Sequence, residues 1–335
     1  MASAVTVLGA GSWGTALAVH LARIGHRVSL WARDAQLVDA LAAAGTNAVY
    51  LPGVSFPPGL TAFSDLAAAC SSADMVVVVC PSSGVRTFAE RARPSLHGCP
   101  LIVSATKGVE QETHLTMSAV LGQVLGEEHR GQIAVLSGPS FAREVGQGMP
   151  TAVTAAANEL KVAEAVQQVF NGPTFRVYTT TDVVGVEIGG AVKNVIAVGA
   201  GVSDGLGFGH NSRAALITRG LAEITRLAVR LGADRQTLAG LAGLGDLVLT
   251  CTGDLSRNRT VGLRLGTGER LADIVASMRE VAEGIRNTHS VRDLARSVGV
   301  EMPITEQMYL LLYEDKSPRQ AVIDLMTRGL RRETD

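Results

Sequence analysis

The segment Gly9-Ala10-Gly11-Ser12-Trp13-Gly14 constrains this chain more than any other. It follows a β-branched run, Ala4 to Leu8, and opens a stretch where Leu17, Leu21 and Ile24 recur at helical spacing until Gly25. A second strand signal, Arg27 to Trp31, comes next. Strand, glycine turn, helix and strand in this order is the setting in which G-x-G-x-x-G binds a dinucleotide. Gly9 permits the tight turn, Gly11 lets backbone approach a pyrophosphate, and Gly14 lets helix and strand pack closely. The helix N-terminus adds N–H donors and a positive dipole end. Arg33 stands where NAD-specific sites place an acid, with Asp34 just after it. A guanidinium pairs well with a 2′-phosphate, so NADP(H) is the expected cofactor, with NAD(H) possible.

Further strand signals lie at residues 74–80, 101–105, 133–136, 151–157 and 175–179, with a helix at 159–170. Unbroken apolar character, clearest at 74–80, marks buried parallel strands. Ligands sit at the C-terminal ends of such strands. Pro81-Ser82-Ser83, Thr106-Lys107-Gly108 and residues 137–142 therefore face the expected crevice.

From Val183 the strand signals stop. Residues 189–201 form a small-residue apolar helix pattern with one charge, Lys193. Burying that charge is costly unless it finds a partner or a task. Alone, the stretch fits a lysine snorkelling from a half-exposed helix equally well. Glycines 201, 205, 207 and 209 predict a flexible loop over 201–210, able to fold over a ligand. Asn211 or Ser212 then caps a helix whose stripe is Ile217, Leu221, Ile224, Ala228 and Leu231. Gly243-Leu244-Gly245-Asp246 predicts a tight turn presenting a carboxylate. Ser256, Arg257 and Asn258 open another helix, and their N–H donors and forked cation suit a phosphate dianion. Helices over 287–297, 304–313 and 318–330 finish the chain.

The expected class is α/β: an N-terminal Rossmann-type, mostly parallel sheet followed by an all-α C-terminal domain. The dinucleotide-binding domain spans 1–182 and the helical substrate-binding and catalytic domain 183–335, with the site in the cleft between them. The 335 residues suffice for two ordinary domains. A net charge of −1 argues against nucleic acid or a polybasic membrane surface as partner. Cys70, Cys80, Cys99 and Cys251 form neither a CxxC pair nor a Cys/His cluster, so no metal site is expected and a reducing cytoplasm is the default. The longest apolar run, 75–80, is too short to span a bilayer. No basic segment precedes the N-terminal apolar residues, so no signal peptide is expected.

Eight stretches in order along nearly the whole chain resemble the bacterial NAD(P)-dependent glycerol-3-phosphate dehydrogenases. They are 9–16 (GAGSWGTA), 47–53 (NAVYLPG), 105–110 (ATKGVE), 137–145 (SGPSFAREV), 190–201 (GAVKNVIAVGAG), 243–250 (GLGDLVLT), 256–261 (SRNRTV) and 281–284 (VAEG). The resemblance implies reversible reduction of dihydroxyacetone phosphate to sn-glycerol 3-phosphate, a precursor of phospholipids, by a cytoplasmic homodimer. It implies that Lys193 is the catalytic acid/base, with Lys107 and Asp246 beside it. Lys107, Gly138, Ser140, Lys193, Asp246, Ser256, Arg257 and Asn258 match substrate positions. Ser12, Trp13, Arg33, Tyr50, Lys107, Ala142, Arg257, Val281 and Glu283 match cofactor positions, joining Gly9, Gly11 and Gly14. A β-hydroxyacid dehydrogenase shares the two-domain plan and a lysine followed by asparagine, but takes a carboxylate; the Ser256–Arg259 run favours phosphate.

Overall fold

Among the described residues the chain forms ten strands: β1 (Ala4–Leu8), β2 (Arg27–Trp31), β3 (Thr46–Asn47), β4 (Leu51–Ser55), β5 (Leu60–Phe63), β6 (Met75–Val78), β7 (Leu101–Ser104), β8 (Ile133–Ser137), β9 (Thr151–Ala157) and β10 (Phe175–Thr180). The structure is a computed structural model describing residues 2–96, 98, 101–278, 282–330 and 332–333. Eight strands make one sheet in the order β10-β9-β8-β7-β6-β1-β2-β5, while β3 and β4 form a separate antiparallel pair. All pairings in the large sheet are parallel except β8 with β9. Strands β1, β6, β7 and β8 are buried along their whole length, which is why they read as unbroken apolar runs.

One face of the sheet packs on Leu17, Leu21, Val166 and Phe170, and the other on Phe88, Met117 and Leu121. Because β6 and β2 flank β1, strand order reverses there, and the C-terminal ends of β1 and β6 are where sheets of this kind bind ligands.

After β10 the chain is helical in its described residues. The central helix, Val183–Gly205, starts at Asp182, whose carboxylate accepts the Gly185 N–H at 2.8 Å. Its residues from Gly185 to Ser203 are all buried, packed by helices His210–Arg230, Asp246–Thr252, Arg257–Gly266 and Glu283–Ser297. By length and composition it could cross a membrane; its burial within the fold makes it a core helix instead. The stripe of Ile224 and Ala228, with Ile217, Leu221 and Leu231 against them, is core as expected.

The loop expected over 201–210 is shorter than the glycines suggested. The central helix continues through Gly205, and the next begins at His210. A Cβ on Gly201 would lie 2.0 Å from the Arg259 carbonyl oxygen, and one on Gly205 2.2 Å from that of Leu263. These glycines serve close backbone approach to helix Arg257–Gly266, not flexibility. Asn211 and Ser212 lie inside the next helix, whose N-cap is Gly209 with no side-chain cap.

Candidate active site

Gly9 has φ +129°, and a Cβ there would lie 2.1 Å from the Val79 carbonyl oxygen, just past β6. A Cβ on Gly14 would lie 1.8 Å from the Gly9 oxygen, so both positions exclude a side chain. Gly11 has no heavy atom within 4 Å of its Cβ position, so its face of the turn is open. It caps helix Ser12–Arg23 without any side-chain cap bond. The Trp13 indole Nε1 is buried there with no protein partner. An open backbone, a helix N-terminus and an orphaned donor make this a fitting cradle for an anionic ligand.

Asn47 braces the turn. Fully buried, it donates Nδ2 to the Ala10 carbonyl at 3.0 Å and to Thr15 Oγ1 at 2.8 Å, and accepts the Tyr50 N–H at 3.1 Å. Tyr50 is thereby held beside the cradle. Ser12 and Trp13 are half-buried in the first helical turn, and Arg33 is exposed beyond β2. Asp34 is the side-chain cap of helix Ala35–Ala44. Ala142 starts helix Ala142–Gly146, which packs on helix Ser12–Arg23.

Across the crevice, three charges meet. Lys193 is 7% exposed and donates Nζ to Asp246 Oδ1 at 2.5 Å and to Thr250 Oγ1 at 2.8 Å. Lys107, at the tip of β7, donates to Asp246 Oδ2 at 2.5 Å and to the Gly138 carbonyl at 3.1 Å. Ser140 Oγ donates to the same carbonyl at 2.9 Å. Asp246 opens helix Asp246–Thr252 directly after a π-helical turn, Leu241–Gly245. Thr250, one turn on, donates to the Asp246 carbonyl at 2.7 Å.

Burial pushes the Lys193 ammonium down to about 8; Asp246 opposes this and Lys107 adds to it. Burial acts to raise Asp246, but Lys107 and Lys193 outweigh it and hold the carboxyl below its ordinary value. With both lysines protonated, two cations share one anion. The net positive charge in a desolvated pocket suits an oxygen that becomes negative during a reaction.

Ser256 caps helix Arg257–Gly266 by accepting the Arg259 N–H at 3.2 Å, and Arg257 is exposed in its first turn. The Asn258 side chain is committed to the scaffold. Its Nδ2 donates to Asn194 Oδ1 at 2.8 Å, and its Oδ1 accepts the Gly284 N–H at 2.9 Å. Glu283 reaches the nucleotide-binding half, accepting from the Ser82 N–H at 3.2 Å and Ser82 Oγ at 2.6 Å. Val281 lies outside the described residues. Thus Lys107, Gly138, Ser140, Lys193 and Asp246 form one bonded cluster. Asn258 and Glu283 brace its surroundings. Two polar atoms nearby have no protein partner: Ser137 Oγ, 2.9 Å from the Cβ position of Gly190, and Asn287 Oδ1, 3.1 Å from that of Gly108.

Two family models cover most of the chain. The one described as NAD-dependent glycerol-3-phosphate dehydrogenase N-terminus matches residues 4–163, and the corresponding C-terminus matches residues 182–323. The chain belongs to this family. It is 56% identical over 333 residues to the glycerol-3-phosphate dehydrogenase [NAD(P)+] of Geobacter sulfurreducens, covering 99% of each. The Anaeromyxobacter dehalogenans enzyme of that name is 54% identical over 323 residues, covering 96% of this chain and 97% of its own. A crystal structure of glycerol-3-phosphate dehydrogenase from Coxiella burnetii superposes with a TM-score of 0.92 at 43% identity, covering 98% of this chain and 99% of that one. As a member of the glycerol-3-phosphate dehydrogenase family, the chain is an oxidoreductase.

Three polar residues that brace the glycine turn or the lysine cluster were not singled out from the sequence: Thr250, Asn47 and Asn287. Thr250 follows Asp246 by four residues on one helix, and that spacing was the available signal.

Proposed function

We propose that the protein reduces dihydroxyacetone phosphate to sn-glycerol 3-phosphate, reversibly, with NADPH preferred and NADH accepted. The observation that carries this reading is the buried Lys193–Asp246–Lys107 cluster at the crevice. The names of the relatives, which print both NAD and NADP, support use of either cofactor. In this reading Gly9, Gly11, Ser12, Trp13 and Gly14 hold the pyrophosphate side of the cofactor. Arg33 faces a 2′-phosphate, and Tyr50, Ala142, Val281, Glu283, Arg257 and Lys107 complete the site. When bound, the reduced nicotinamide supplies a hydride to the substrate's carbonyl carbon.

Lys193 acts as general acid. It donates the proton that the carbonyl oxygen takes up, and an ammonium pushed down to about 8 gives that proton readily near neutrality. Asp246 and Thr250 orient Lys193, and Lys107 adds positive charge where the oxygen turns negative. Ser256, Arg257 and the backbone of Asn258 at the helix start bind the phosphate and so position the carbonyl. Gly138 and Ser140 line the opposite wall. In the reverse direction the same lysine, deprotonated, accepts the hydroxyl proton.

Among the described residues no group of three or more His, Cys, Asp or Glu is placed to hold a metal ion. The reading extends to a cytoplasmic homodimer supplying the glycerol backbone of phospholipids. The test is NADPH oxidation with dihydroxyacetone phosphate, with NADH and 2-ketoacids as comparisons. Turnover confined to the phosphorylated ketone, faster with NADPH, is expected. Preference for a 2-ketoacid overturns the assignment.

A further inference from the structure

The helical half and the sheet half are joined by a repeated arrangement. Glu187, six positions before Lys193 on the central helix, is 5% exposed. Its carboxylate accepts the Ser118 N–H at 2.8 Å and the Ser118 hydroxyl at 2.5 Å. Ser118 lies in the first turn of helix Met117–Leu125, whose own N-cap, Thr116, makes no side-chain cap bond. Glu283 grips Ser82 in the same two-point way, at a short turn that also lacks a side-chain cap. In both cases a helical-half carboxylate sits at the positive end of a sheet-half helix and meets donors the helix cannot satisfy itself.

The Glu187 contact has a mechanical route to the active site. Helix Met117–Leu125 follows the loop that carries Lys107. That loop is tied back on itself by an isolated bridge between Val109 and Thr116, and by the Glu110 N–H donating to the Leu115 carbonyl at 2.9 Å. Val109 is buried in the same apolar cluster as Ile188 and Val192 of the central helix. The Lys107 loop is therefore held to the central helix at two points, one apolar and one through Ser118 and Glu187. Burial raises the Glu187 carboxyl, and the Ser118 and Thr116 donors work against it. A carboxylate in that position is costly unless those donors stay in place.

We propose that Glu187 is a positioning residue: by capping helix Met117–Leu125 it sets the reach of Lys107 onto Asp246, beside Lys193. The proposal rests on the reading of Lys193 as the proton donor. The groups facing Lys193 are Asp246, Thr250 and Cys251 from helix Asp246–Thr252, and Lys107 from the β7 tip. Drawing Lys107 back removes a cation that lowers Lys193, so the basic limb of kcat moves to higher pH.

The experiment compares Glu187→Leu, Glu187→Gln and Ser118→Ala in the full chain, with kcat across pH and amide hydrogen exchange over residues 106–118. Glu187→Leu lowers kcat about tenfold and moves the basic limb up by about half a pH unit. Glu187→Gln, which keeps an acceptor for the Ser118 N–H, restores most of both. Ser118→Ala shifts the limb in the same direction by less. Exchange over residues 106–118 quickens in Glu187→Leu and Ser118→Ala. Wild-type kcat and limb in Glu187→Leu overturn the proposal, as does equal loss in Leu and Gln variants with the limb unmoved. If the leucine variant does not fold, an unmoved limb in Ser118→Ala overturns it. A wild type inactive toward dihydroxyacetone phosphate sinks the functional reading alone. The exchange measurement then decides this proposal, and unchanged protection overturns it.

Discussion

Asp246 and Glu223 are both buried carboxylates of the helical half, 1% and 3% exposed, and their surroundings drive them in opposite directions. Asp246 meets two ammoniums at 2.5 Å. Glu223, on helix His210–Arg230, accepts from neutral donors: the Ile304 N–H at 2.6 Å, the Thr305 N–H at 3.3 Å and Thr305 Oγ1 at 3.3 Å. Burial raises both carboxyls. At Glu223 it prevails over the helix-start donors and Arg226 and pushes the group up to about 7. At Asp246 the two lysines prevail. Dipoles at a helix N-terminus contribute on the order of 1 kcal/mol, less than desolvation takes, whereas two adjacent cations exceed it. Glu223 therefore joins two helices, while Asp246 stays ionised between Lys107 and Lys193.

The largest effect is expected from Lys193→Ala, which in the proposed mechanism removes the proton donor beside Asp246. Turnover falls by about a thousandfold or more, while NADPH binding by fluorescence titration stays within about threefold of wild type. Near-normal turnover would break the comparison at its active end. Asp246→Asn is next, with kcat down roughly a hundredfold. Losing the anion that raises Lys193 moves the basic limb of kcat below about 8. A limb that moves upward instead would show that Asp246 does not hold the lysine charged. Lys107→Met removes a cation that lowers Lys193, so its limb moves above about 8, with kcat reduced about tenfold.

Glu223→Gln has the smallest effect on activity and sharpens the other side. The folded-state value of Glu223, about 7, lies above its ordinary 4.5. Between these values the folded chain keeps a proton that the unfolded chain has released. Stability therefore falls as pH rises through this window, by roughly 3 kcal/mol, and is flat in this group above it. Glutamine removes that slope. The change in Tm between about pH 5 and about pH 8 is then less steep in the variant, at unchanged kcat. Equal slopes would show that Glu223 is ionised in the fold at all these values.

Legibility differed along the chain. Strands β1, β2 and β9 have the ends their residues predicted; β1 is buried along its whole length, while β2 and β9 mix buried with less buried positions, and turn residues bound each run. The pair β3–β4 and strand β5 went unseen: Pro52 and Gly53 interrupt β4, and β5 is short and only half-buried. Gly201 and Gly205 carried the opposite meaning from the one their number suggested. Glycine in a helix marks flexibility or close approach alike, and the deciding atoms belong to Arg259 and Leu263 on another helix. For Asn258, the residue type pointed to a ligand, and in the fold both ends of its amide bind Asn194 and Gly284.

What the sequence determined by itself is the local chemistry: a glycine turn between strand and helix, a sheet followed by helices, and a helix that opens at Ser256 and Arg257. These depend on dihedral preference and periodicity within a dozen residues, and local spacing encodes both. Only the tertiary structure decided that Lys107 and Lys193, on different elements, take the two oxygens of one carboxylate. It also decided that Glu187 reaches Ser118 across the junction. Such pairings are made by the burial that excludes water from them, and that burial comes from residues far apart in the chain.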